Sequence, residues 1–386
     1  RSPSRGLGDV YKRQPVEVAQ LTDSLKKQFA PDRRVALLDV DYSFSDKNVM
    51  LRGVTTSAEA KNVLLKELAR KGYAVMDCLE LLPDVKGLEG KTCGIINVSV
   101  ANMRVAPDFS SEMMTQSLMG MPVRVLQRDG WVRIQTPDNY IAWVHRVGVH
   151  PVTEEEMAAW NKAEKIVVTA HYGFVYSEPN QTSQTVSDVV AGNRLKWEGS
   201  KGAFYKVTYP DGRRGYISKS IAMPEKKWRS GLQQDAAGII RTAHTMMGIP
   251  YLWAGTSSKG VDCSGFMRTI LFMHDIIIPR DASQQAYVGE HIDIAADFSN
   301  LQPGDLIFFG RKATPERKER VVHVGMYIGG KRFIHSQGDV HISSFDPADE
   351  LFDEYNLGRL LFATRVLPYI NKEAGLNTTE TNEYYK

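Results

Sequence analysis

Cysteine is scarce in this 386-residue chain: Cys78, Cys93 and Cys263 are scattered, with no CxxC spacing. That excludes a disulfide framework and a zinc–cysteine site. Three thiols fit either redox compartment, including a secreted protein with one free reactive thiol. No run of about 18 apolar residues occurs, so no transmembrane segment is expected. The net charge is only +3, which gives nucleic-acid binding no electrostatic support. The HExxH spacing of a zinc hydrolase is absent too, and nothing in the sequence calls for a cofactor. Residues 1–14, RSPSRGLGDVYKRQ, lack the apolar stretch and small-residue cleavage site of a signal peptide. They resemble translated adapter sequence, and we set them aside. A native N-terminus with its export signal is then expected to be replaced. Export to the periplasm or cell envelope is the expected location, the cytoplasm its alternative.

What is present is the composition of a globular protein, 42% hydrophobic and 24% charged. At roughly 100–200 residues per domain, two to four domains are expected. Residues 15–90 read as a small α/β domain. "RVALLDVDYSF" and "NVMLRGVTT" are strand-like. Ala58, Ala60, Val63, Leu64, Leu65, Leu68 and Ala69 form a helical stripe that stops at Gly72. No chemistry is legible there.

Residues 91–152 and 164–226 read as two copies of one plan, linked by 153–163. Gly120 before "MPVRVL" matches Gly192 before "NRLKWEG", and "GWVRIQTPDNYIAWV" matches "AFYKVTYPDGRRGYI". The offset is about 72 residues. Short alternating strands joined by Gly, Pro, Asp and Asn predict two small β-barrels. They resemble bacterial SH3-like domains, whose last strand often carries a Gly-Trp or Gly-Tyr pair.

Residues 227–370 carry the chemistry. A helix is expected at 231–247 and another from Cys263 to about His274. Strands are expected at "GDLIFFG", "HVGMYIG", "KRFIHSQ" and "LLFATRVL", and a polar, disordered tail over 371–386. A Gly-rich loop ends in Asp262-Cys263-Ser264-Gly265, which places Cys263 at a helix N-terminus. Free N–H groups and the helix dipole favour a thiolate there, the form a nucleophile needs. His323 lies 60 residues after Cys263, and His335 lies 12 further on, on two strands separated by "GGKR". A hairpin would bring the imidazoles side by side. One would take the thiol proton and the other orient it, as in a catalytic triad.

These residues resemble the NlpC-type cysteine peptidases. Tyr251-Leu252-Trp253-Ala254-Gly255, Asp262 to Phe266, Pro279-Arg280, Pro303 to Leu306 and His323-Val324-Gly325 follow the family's order, with His335 at its third polar position. Ala254 stands where the family has glycine. The resemblance implies a multidomain α+β protein: a small α/β domain, two SH3-like barrels and a papain-like peptidase domain. It assigns Cys263 as nucleophile, His323 as base and His335 as orienting residue. The whole architecture resembles the dipeptidyl-peptidase VI type of this family. That implies peptidoglycan-derived tri- or tetrapeptides with a free N-terminal L-alanine, cut between γ-D-glutamate and the diamino acid. By the same likeness Asp262 and a first-barrel tyrosine hold the substrate ammonium, with Tyr140 the candidate and Trp143 its alternative. Tyr251, Trp253 and Ser264 line the pocket. Arg280, Asp281 and Ser283 close its other side, at the substrate carboxylate. Three rivals remain: an endopeptidase on intact stems, an acyltransferase or amidase on the same fold, and a non-catalytic wall-binding protein.

Overall fold

The computed structural model describes residues 16–386. The adapter-like residues 1–14 lie outside them. The chain divides into two compact units after Gly90. In the first, strands Leu38–Ser45 and Asn48–Thr55 pair antiparallel, and Ala74–Leu81 joins Asn48–Thr55 in parallel. Helix Ala58–Arg70 makes the crossover between the parallel strands. Ser57 caps it by accepting from the Ala60 N–H at 3.0 Å. Ala60, Leu64 and Leu68 face the core with Val49, Leu51 and Leu79. Ala58 and Ala69, read as part of the stripe, are exposed. A further helix, Val16–Phe29, adds Val18 and Leu25 to that core.

The second unit opens with two seven-stranded sheets. The first contains Cys93–Ile96, Val100–Arg104, Met113–Leu118, Pro122–Asp129, Trp131–Gln135, Ile141–His145 and Val149–Val152. The second contains Lys165–Val168, Tyr172–Tyr176, Thr185–Val190, Arg194–Lys201, Phe204–Thr208, Arg214–Ser218 and Ala222–Pro224. Numbered within each sheet, both run in the order 7-1-4-5-6-2-3, so the sequence repeat is a structural repeat. The matched glycines take left-handed φ values of 81° and 88° and lie against the opposite copy. A Cβ on Gly120 would stand 2.2 Å from the Arg194 carbonyl oxygen. Between the copies, Glu154–Lys162 is a helix closed by a Thr153–Glu156 capping box.

The last part holds a six-stranded sheet. Its order is Glu290–Ile292, Leu360–Arg365, Leu306–Arg311, Arg320–Gly329, Arg332–Gln337, Asp339–Ser344. Helix Cys263–Phe272, buried along its whole length, packs on the strand Arg320–Gly329. Three expectations need correction. The helix foreseen at 231–247 spans only Ala236–Thr245, because Asp235 caps it by accepting from the Gly238 N–H at 2.7 Å. The strand Asp339–Ser344 was not read at all. The tail is ordered, with Thr378, Thr379, Asn382 and Tyr384 buried. Thr379 donates to Asp275 at 2.7 Å, and the Asn382 amide donates to the Pro137 carbonyl at 2.9 Å.

The first barrel is fastened to the helix Cys263–Phe272 and the loop before it. The Gln116 carbonyl accepts from Thr256 Oγ1 at 3.0 Å and from Arg268 Nη1 at 3.1 Å. Arg268 also pairs with buried Asp138 at 3.3 Å. Among the described residues no helix is long and apolar enough to cross a membrane.

Candidate active site

Cys263 is the first residue of its helix, and Asp262 is the N-cap, accepting from the Gly265 N–H at 2.7 Å. Gly265 allows the glycine loop to approach: a Cβ there would stand 1.9 Å from the Gly255 carbonyl oxygen. Ala254, in place of the family's glycine, takes a left-handed φ of 61°. Such a conformation costs an L-residue roughly 1–2 kcal/mol, and it turns the Ala254 N–H onto Asp262 Oδ2 at 3.0 Å. The expected easing toward the thiolate is opposed by burial. Burial pushes the Cys263 thiol up to about 11, with the Asp262 charge adding to it. Backbone N–H groups of Val324 and Ser264, and then Arg280, pull the other way without overcoming burial. Helix-end stabilisation is the smaller effect in a site this dry.

The hairpin does set the two imidazoles together. His323 Nε2 lies 2.8 Å from His335 Nδ1, and both rings are buried. Sγ of Cys263 meets the amide of Val324, the residue after His323, so the thiol sits against the strand that carries the first imidazole. Burial, with the Arg359 and His341 charges, takes His323 down to about 3; burial and the neighbouring histidines take His335 to about 2. Burial thus disfavours the charged form of the thiol and of both imidazoles. Among the described residues no group of three His, Cys, Asp or Glu side chains could hold a metal ion.

The remaining residues divide in a way the sequence did not reveal. Arg280 is 1% exposed. It grips Asp262 through Nη2 at 2.6 Å and Nη1 at 3.2 Å, Ser264 Oγ through Nη1 at 2.9 Å, and Thr115 of the first barrel through Nε at 2.9 Å. It cannot also reach a substrate carboxylate, so that expectation is corrected. The Asp262 carboxylate already takes donors from Gly265, Ala254, Arg280 and Ser264, and two oxygens offer about four lone-pair sites. Asp262, Arg280 and Ser264 thus form a buried lock beside Cys263, and Asp262 has little left for an ammonium. Asp281 is the carboxylate that faces the first barrel. Its Oδ2 accepts from the Tyr140 hydroxyl at 3.1 Å, and its side chain keeps 28% exposure. Ser283 is half-buried on the next turn, Ala282–Gln285. Trp143, the alternative to Tyr140, instead lies under the Arg133 guanidinium on the barrel, 5.4 Å from ring centre. Tyr251 lies close enough to Cys263 and Asp262 to feel their charges, which add to burial in pushing its phenol up to about 12. Trp253 is 61% exposed and donates its indole N–H to Glu112 of the first barrel at 3.1 Å. Glu112 and Thr115 were missed, since nothing local marks a barrel residue that meets a partner some 140 positions away.

Residues 248–358 match the NlpC/P60 family, 103–147 the bacterial dipeptidyl-peptidase Sh3 domain and 171–221 the bacterial SH3 domain. The chain is 33% identical over 236 residues to the gamma-D-glutamyl-L-lysine dipeptidyl-peptidase of Bacillus cereus, covering 59% of this chain and 68% of that one. It is 25% identical to dipeptidyl-peptidase 6 of Lysinibacillus sphaericus, over 67% of this chain and 93% of that one. A crystal structure of an NlpC/P60 family protein from Bacillus cereus superposes with a TM-score of 0.61 at 26% identity, covering 72% of this chain and all of that one.

Proposed function

The chain belongs to the NlpC/P60 family and is a peptidase of that family, and from this membership we propose that it cuts the γ-D-glutamyl–diamino acid bond of short peptidoglycan-derived peptides whose N-terminal L-alanine is free. Two relatives are named for dipeptidyl-peptidase action on a γ-D-glutamyl-L-lysine bond, which supports the substrate class. The observation that carries the free-amine requirement is the Tyr140–Asp281 hydrogen bond of 3.1 Å. It draws a barrel residue over the carboxylate beside the cleft, and the Trp253–Glu112 contact adds a second bridge from the same barrel. Asp281, its side chain 28% exposed against 11% for Asp262, is the anion we assign to the substrate ammonium, in place of Asp262.

His323 acts as general base as Cys263 Sγ attacks the γ-glutamyl carbonyl. With burial favouring the neutral thiol and imidazole, the proton leaves as the S–C bond forms. The Tyr251 phenol, kept protonated by burial, is a donor for the developing oxyanion. The amine departs with the proton from His323, and water, deprotonated by the same imidazole, releases the dipeptide. His335 holds the His323 ring through their 2.8 Å contact. No step requires a cofactor.

The test compares kcat/KM on L-Ala-γ-D-Glu-diamino acid with its N-acetylated form. Acetylation deprives Asp281 of its cation, a loss of about 2–5 kcal/mol, or roughly thirty-fold to several thousand-fold. Tyr140→Phe narrows the preference. Equal constants would overturn the dipeptidyl-peptidase reading in favour of an open-groove endopeptidase.

A further inference from the structure

Two neighbouring residues on one barrel strand reach the segments around Cys263. On Met113–Leu118, Thr115 and Gln116 are both buried. The Gln116 side-chain oxygen accepts from the Thr256 N–H at 2.8 Å, which ties the loop before the helix to the barrel. Thr115 Oγ1 accepts from Arg280 Nε at 2.9 Å. A guanidinium is a rigid planar fork, so holding Nε fixes where its other two nitrogens point. Nη1 lies 3.2 Å from Asp262 Oδ1, and Nη2 lies 2.6 Å from Oδ2, which sets the plane of the carboxylate. Each carboxylate oxygen then has a second duty. Oδ1 caps the Cys263 helix at the Gly265 N–H, 2.7 Å away. Oδ2 takes the Ala254 N–H at 3.0 Å, three residues after Tyr251. One carboxylate therefore joins the segment that bears the thiol to the segment that bears the phenol.

We propose that Thr115 is a positioning residue for the peptidase reaction: through Arg280 it fixes the Asp262 carboxylate, and through that the spacing of Cys263 and Tyr251. The inference rests on the reading above of Cys263 as nucleophile and Tyr251 as oxyanion donor. Thr115 and Arg280 are each 1% exposed, so solvent is no substitute acceptor for Nε. A residue without an oxygen at position 115 leaves the Nε–H buried and unpaired, which is costly. The fork regains a partner by turning, and turning it rotates the carboxylate off Gly265 or Ala254. Ser264 Oγ, 2.9 Å from Nη1, loses its donor in the same movement. Attack and proton transfer tolerate little of this: a displacement of about 1 Å at a reacting group costs up to roughly a hundredfold in rate. The first barrel thus serves the chemistry as well as the binding, and does so from a buried residue.

The experiment compares Thr115→Val, Thr115→Ser, Arg280→Lys and the double variant of Thr115→Val with Arg280→Lys, all in the full chain. Valine keeps the shape and removes the oxygen, whereas serine keeps the oxygen. Lysine keeps a charge for Asp262 but has no fork to hold Thr115 and the carboxylate together. In Thr115→Val, kcat on the free tripeptide falls roughly 10- to 100-fold with KM unchanged, and Thr115→Ser recovers most of the loss. In the Arg280→Lys background Thr115→Val adds nothing further, because the two residues act as one unit. Alkylation of Cys263 gives a readout without substrate. A loosened Arg280 bares the Asp262 charge beside the thiol, which disfavours the thiolate. The pH profile of alkylation therefore moves to higher pH in Thr115→Val and returns in Thr115→Ser. Wild-type kcat with an unmoved profile in Thr115→Val overturns the proposal. So do additive losses in the double variant, a loss that serine fails to recover, and a loss confined to KM or to the folded fraction. If the wild type leaves the tripeptide uncut, the substrate reading falls, and the alkylation profile alone still decides this one.

Discussion

A thiol at a helix N-terminus is ordinarily eased toward the thiolate, yet burial holds Cys263 up to about 11. Reactivity toward small electrophiles should then follow exposure and pH rather than catalytic rank. At pH 7 iodoacetamide should modify exposed Cys78 first and Cys263 last. The rate at Cys263 should climb about tenfold per pH unit between pH 8 and 10, tracking its thiolate fraction. Peptide mapping by mass spectrometry reads this directly. If Cys263 were the first thiol modified at neutral pH, the resting state would be an ion pair instead. The sequence made Cys263 legible through its motif, but its ionisation depends on strands and loops that close over it. Arg280 was misread for the same reason. An Arg-Asp dipeptide looks like an open binding pair until Thr115, 165 residues away, is found bonded to it.

At the scale of elements, the hairpin Arg320–Gly329/Arg332–Gln337 holds two histidines whose folded values are about 3 and about 2, against an ordinary value near 6.5. Between those values and 6.5 the unfolded chain binds more protons than the folded one. Stability from this source is intact above about pH 6.5 and declines as the pH falls toward 3, with a slope of about 1.4 kcal/mol per pH unit for each histidine. Urea midpoints should therefore drop from pH 7 to pH 5, and less so in His335→Gln. Identical midpoints at the two pH values would show that the rings bind protons equally in the folded and unfolded chain. This hairpin was readable because "GGKR" marks a turn between two strand-like runs. Its third strand, "DVHISS", was not, since a short polar run takes its strand form from pairing with "KRFIHSQ". The helix at Ala236 started late because Asp235 offers a cap that periodicity alone overlooks.

At the scale of the whole molecule, the polar tail shows why composition is a poor guide to order. It has few apolar residues, yet its side chains saturate buried groups elsewhere. Thr379 serves Asp275 and Arg229, and Asn382 serves the Pro137 carbonyl. Deleting residues 373–386 leaves Asp275 without one of its partners and uncovers the first barrel near Pro137. A leftover buried polar group costs about 1–3 kcal/mol, which for a domain of this size lowers Tm by roughly 5 °C or more once two are lost. Differential scanning calorimetry of the truncated chain measures it, and an unchanged Tm would mean that the tail is ornamental. The barrels, by contrast, were legible as copies, because Gly120 and Gly192 answer one backbone requirement.

The two barrels share one strand order but not one duty. Glu112, Thr115, Gln116 and Tyr140 of the first reach the cleft or the helix beneath it. The second braces its sister, with Asn193 donating to the Ser99 carbonyl at 2.9 Å. Under the function proposed above, the first copy meets the ligand and the second only its protein neighbours. Substitutions that retune the choice of peptide would then belong to the first barrel, and those in the second would reach the ligand only by way of it.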